Sequence, residues 1–157
     1  MRIGVALASI MASLGGCIPE EKDFILIPAI SDASGEAVTA APGSVTVRMT
    51  VVWQNGEEAP ETQVTVDSRL SVEDDDTQDF LGRIQVERTS DFDGSLGSGE
   101  TAEVTYEDTQ SPPIAPLDPA QLCDGRSVHL QVQYSTHGSL MDSPQTALSN
   151  AFTFACD

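Results

Sequence analysis

The chain has 157 residues and carries 25 Asp and Glu against 7 Lys and Arg, a formal net charge of −18 at neutral pH. That length suits one domain, and that charge argues against nucleic acid as a partner, because a phosphate backbone is held by clustered Lys and Arg. With 39 % hydrophobic but only 5 % aromatic residues, the chain has enough apolar surface to fold, around a core resting on Val, Leu, Ile and a few Phe.

Met1 and Arg2 give a short positive start, Ile3 to Ser13 is an uncharged apolar run, and Leu14-Gly15-Gly16-Cys17 follows. This three-part pattern reads as a secretory signal, since the apolar run is shorter than the roughly 20 residues needed to span a bilayer. Gly15 and Gly16 would let an extended backbone enter a peptidase cleft without side-chain clashes. Leu14-Gly15-Gly16-Cys17 resembles the lipobox of the bacterial lipoprotein family, a resemblance confined to the signal and the Cys. It implies lipid on the Cys17 sulfur, cleavage before Cys17 and acylation of the new amino terminus. The expected organisation is then a signal peptide at 1–16, a lipidated Cys and tether at 17–23, and a domain at 24–157. One acyl chain holds only marginally, so multiple acylation at Cys17 would give stable anchoring in the membrane. In that family, Asp after the lipidated Cys signals retention at the inner membrane; Ile18 stands there, which implies the outer membrane of the cell envelope. Losing Arg2 leaves 6 basic against 25 acidic residues, a mature charge of −19 that would push the domain off anionic headgroups.

Beyond the tether, apolar residues recur with a period of two. Phe24 to Ile30 is a continuous apolar opening strand. From Ser44 to Gln54, Val45, Val47, Met49, Val51 and Trp53 share one parity against mostly polar neighbours, as a half-buried strand requires. Val64 and Val66, Ile84 and Val86, and Ala102, Val104 and Tyr106 repeat the pattern. Val128, Leu130, Val132 and Tyr134 do so against His129, Gln131 and Gln133. Leu148, Phe152 and Phe154 close the series, with Cys156 in step. Asn55-Gly56 and Pro60 mark a turn, and Ser90 to Gly99 reads as a polar loop. Ser111 to Pro119 carries four prolines and reads as a long crossover. Asp118-Pro119 looks like an N-cap followed by a first-turn Pro, giving one helical turn to Leu122.

About seven strands with polar turns and no long helix predict an all-β fold, a single antiparallel β-sandwich. The architecture resembles the immunoglobulin-like or fibronectin-like sandwich group over residues 24–156. Asp76-Thr77-Gln78-Asp79-Phe80 is similar to the loop entering a late strand there, with Phe80 in place of a corner Tyr. Trp53 precedes both later cysteines, so the antibody-type disulfide pattern is absent.

With Cys17 assigned to lipid, Cys123 and Cys156 remain as an even pair in an oxidising compartment, which points to a disulfide. Free thiols or a metal site are the alternatives. The zinc reading is poor, because structural zinc wants four N or S donors and His129 and His137 lack the paired spacing.

No Gly-x-Ser-x-Gly elbow or paired-His metal motif is present, so no enzyme activity is expected. By parity His129 should point to solvent, and His137 lies beside Gly138 in a loop. Trp53 shares the parity of the core. Two acidic clusters are candidates for calcium: Asp74, Asp75, Asp76 and Asp79 beside Glu73, and Asp91 with Asp93. Read from Asp91, an EF-hand loop fails, with Leu96 where Gly is needed and Ala102 where Glu is needed. Solvated acidic loops that keep strand edges apart explain the same residues. The expected function is a lipid-anchored cell-envelope protein whose non-catalytic sandwich serves protein interaction or structural assembly at the membrane surface, with an envelope protein or surface polymer as partner. A calcium-dependent binding module is the alternative.

Overall fold

The computed structural model describes residues 27–137 and 144–157; the expected signal segment, Cys17 and the tether lie outside the described residues. Strands β1 (Ile27–Val38), β2 (Ser44–Gln54), β8 (Thr101–Gln110) and β6 (Glu87–Arg88) form an antiparallel sheet, to which β11 (Ala155–Cys156) adds in parallel beside β1. The second sheet is built around β9 (Val128–His137). Its halves pair on one side with β4 (Arg69–Asp74) and β3 (Thr62–Val66), and on the other with β10 (Gln145–Leu148). The β3–β4 line is broken only at Asp67 and Ser68, where the Asp67 N–H still donates to Gln133 O at 2.8 Å. β5 (Phe80–Gln85) flanks β4 and β7 (Ser95–Leu96) flanks β3. At Val86 the chain leaves β5 for β6 and so changes sheets.

The expected alternation in β2 holds throughout: Val45, Val47, Met49, Val51 and Trp53 are fully buried. They meet Leu70, Val72, Ile84, Leu130, Val132 and Tyr134 of the facing sheet in one core. Trp53 and Tyr134 touch edge to face across the sandwich, with ring centroids 5.3 Å apart. Such a pair adds about 0.5–1.5 kcal/mol beyond its buried area.

Three expectations need correcting. The described residues form eleven strands rather than about seven. Part of the excess is the two-residue strands β6, β7 and β11, and the rest includes β4, whose inward Leu70 and Val72 precede the acidic turn. The expected closing strand from Leu148 to Cys156 is two strands in different sheets, and Leu148 is exposed. Polar side chains cause the break: Ser149 Oγ accepts from Leu130 N at 2.9 Å, and Asn150 Oδ1 accepts from Ala33 N at 3.1 Å, carrying the chain across to β1. Ser90 to Gly99, expected as loop, contains β7.

The proline-rich crossover docks on β5 through Leu117, which lies so close to Gly82 that a Cβ there would be 2.7 Å from Leu117 Cβ. Asp118 then caps α1 (Pro119–Leu122), its Oδ1 accepting from Ala120 N at 2.9 Å, as its sequence suggested. Cys123 follows and is bridged to Cys156 of β11, with Cα atoms 5.8 Å apart.

Candidate functional site

Register places the candidate residues at two ends of the sandwich. Where β1 begins, Ile27 pairs with Gln54 and Gln54 with Thr101; where β8 ends, Gln110 pairs with Val45. These ends are about 30 Å apart at 3.3 Å per residue.

At the Ile27 end lies an open hollow of about 870 Å³, lined by Glu61, Asp91, Asp93 and Glu100 with Arg88 and Phe92. Asp91 and Asp93 therefore sit in a concave acidic surface. Asp93 Oδ1 is engaged by Ser95 N at 2.8 Å, an Asx-type turn, and Arg88 lies 6.0 Å from the Phe92 ring.

The other acidic cluster forms the turn from β4 to β5. Asp74 Oδ1 accepts from the amides of Asp76 and Thr77, both at 3.0 Å, and its Oδ2 meets Arg126 Nη1 at 3.2 Å. The Thr77 amide bond above all, helped by the Thr77 side chain, the Asp76 amide and Arg126, outweighs desolvation and holds the Asp74 carboxyl below its ordinary range. Asp124 is lowered likewise, chiefly by side-chain hydrogen bonds from Arg126. Asp79 Oδ2 accepts from Thr77 Oγ1 at 2.9 Å, while Asp76 is exposed.

The six calcium candidates are thus not brought together. Gln63, beside β7, and Asp74 stand at opposite ends of the β3–β4 line, on the order of 30–35 Å apart. Among the described residues no three His, Cys, Asp or Glu side chains are placed to hold a metal ion.

His129 is a correction. It lies on the outward face of β9, as parity required, yet its side chain is only 3 % exposed. Its Nε2 is 3.3 Å from Glu73 Oε2, directly across the strand pair, and its Nδ1 is 3.3 Å from Asp75 Oδ1. Both ring nitrogens face carboxylates, which leaves neither for a nucleophile. His137 ends β9 rather than standing in a loop, and Trp53 is in the core as expected.

The sequence reading missed a third place. A hollow of about 460 Å³ lies between the outer side of β4–β5 and the crossover, lined by Arg69, Phe80, Arg83, Gln85, Gln110, Ile114, Ala115 and Pro116. It contains no carboxylate. Phe80 and Ile114 are 49 % and 61 % exposed, unusual for large apolar side chains. Arg83 lies 5.8 Å from the Phe80 ring, and the buried Oε1 of Gln110 has no hydrogen-bond partner. The signals were an Ile set among the prolines of the crossover and a Phe three residues before an Arg.

No known family matches the chain, and no curated protein matches it.

Proposed function

We propose that the chain is a lipid-anchored cell-envelope protein whose non-catalytic β-sandwich serves protein interaction at the membrane surface. The observation that carries this reading is where the hollow lies on the sandwich. Ile27 stands ten residues after Cys17, at the end that holds Asp91 and Asp93, while the carboxylate-free hollow with exposed Phe80 and Ile114 lies toward the other end, beside the acidic β4–β5 turn. A tether at Cys17 leaves that hollow free to meet a partner. Ten extended residues reach at most about 35 Å, so the domain stays near the membrane. Ile18 after the Cys favours the outer membrane. The change of sheet at Val86 and the parallel pairing of β11 with β1 support an immunoglobulin-like sandwich. The engagement of both His129 nitrogens by carboxylates supports a non-catalytic role.

Fractionation of cells making Cys17→Ser tests the anchor. The variant is expected in the soluble fraction with the wild type in the membrane; a variant that stays on the membrane overturns the reading.

A further inference from the structure

The hollow between β4–β5 and the crossover has three chemical features that converge on one kind of ligand. The first is charge. In a chain of net charge −18, Arg69 and Arg83 line a surface with no Asp or Glu, whereas three other hollows lined by Arg88 or Arg48 each include carboxylates. Arg83 rests near the Phe80 ring, and the nearest carboxylate contact of Arg69 is a long one, 3.8 Å to Asp67. A guanidinium without a close carboxylate is a ready donor to an incoming one. The second is the apolar wall of Phe80, Ile114 and Pro116, which stays in water unless something covers it. The third is Gln110 Oε1, a buried acceptor with no donor, a state that costs about 1–3 kcal/mol.

An anion, an apolar body and an N–H donor occur together in the last residue of a polypeptide: its carboxylate, its side chain and its amide. We propose that this hollow receives the C-terminal carboxylate of a partner polypeptide ending in an apolar residue. The proposal rests on the protein-interaction reading above and names the partner's chemistry. A volume of about 460 Å³ lies within the roughly 300–1,000 Å³ of small-ligand sites, enough for a terminal residue and its amide. Arg69 and Arg83 hold the carboxylate, Phe80 and Ile114 cover the side chain, and the Gln110 side chain, which lines the hollow, turns its now unpartnered Oε1 outward to accept the amide N–H.

Isothermal titration of the full-length chain in detergent, with N-acetyl-Ala-Leu as free acid and as C-terminal amide, tests it. The free acid is expected to bind saturably and the amide at least tenfold more weakly. Arg83→Gln and Arg69→Gln are each expected to weaken the free acid at least fivefold with thermal unfolding unchanged, while Arg48→Gln on the opposite sheet leaves it intact. No binding at millimolar peptide, equal binding of acid and amide, or indifference to Arg83→Gln overturns the proposal. Octanoate binding as tightly as the peptide also overturns it, by assigning the hollow to a fatty carboxylate without an N–H. These results are separable from the anchor test, since Cys17→Ser alters fractionation and leaves the hollow untouched.

Discussion

Replacing both members of the Cys123–Cys156 bridge with Ser isolates what the crosslink contributes. The bridge ties the end of α1 to β11, which is held to β1 by only two residue pairs, Glu36 with Ala155 and Ala37 with Cys156. It closes a sequence separation of 33 residues that contains β9 and β10. Chain entropy for a loop of that length gives about 3.7 kcal/mol at 25 °C, through fewer conformations of the unfolded chain. For a domain of this size that corresponds to a fall in Tm of roughly 10–15 °C. Urea unfolding followed by the fluorescence of Trp53, the single tryptophan and fully buried, reads the whole sandwich at once. The double variant is expected to lose about 3–4 kcal/mol and to show a larger m-value, because its unfolded state is more expanded. A loss below about 1 kcal/mol at unchanged m would refute the loop-entropy reasoning.

Four further outcomes follow from particular contacts. Gly82→Ala puts a Cβ within 2.9 Å of Leu117 backbone atoms, so the crossover must move; a loss of about 1–3 kcal/mol in urea melts is expected, and no loss would mean the docking is loose. Asp74 has its folded pKa below the ordinary 3.8, so its contribution is full above that value and is lost as pH falls through the lower folded value. The Tm gap between wild type and Asp74→Asn should therefore be widest near neutrality and close below pH 3.8; a gap that widens on acidification contradicts this. His129→Ala strips the buried partner from Glu73 and Asp75 and is expected to cost roughly 1–3 kcal/mol by thermal melt, a neutral effect being the contrary result. Calcium should raise Tm no more than magnesium does, since the Asp74 oxygens are already engaged and Asp91 and Asp93 are remote; a rise of several degrees specific to calcium would restore the loops as a site.

The strands most legible in the sequence were those with one wet face. β2 and β9 alternate without interruption over their core positions, and every apolar residue expected inward is inward. β4 was hidden because its inward pair, Leu70 and Val72, runs straight into Glu73 to Asp76, and a run of acids reads as loop. His129 shows the limit of parity more sharply. Its side was read correctly, yet its burial depends on Glu73 from across the β4–β9 register and on Asp75 from the turn beyond. A period within one strand carries no information about what its neighbour places opposite.

The same limit governs the arginine hollow, and the distribution of cations shows why it has chemical meaning. In so acidic a chain a basic side chain meets carboxylates almost anywhere, and Arg48 and Arg126 do: Arg48 pairs with Glu107 at 2.6 Å, and Arg126 is clasped by Asp124 and Asp74. Arg83 instead rests near an aromatic ring, within walls that exclude every acid. That arrangement needs β4, β5 and a crossover some thirty residues later, seated where Gly82 leaves room for Leu117. Surface ion pairs contribute only about 0–1 kcal/mol, so leaving Arg83 without one costs the fold little. The same vacancy keeps its full charge for a ligand. Stability alone therefore accounts poorly for a carboxylate-free hollow on a surface this acidic, and anion recognition accounts for it directly.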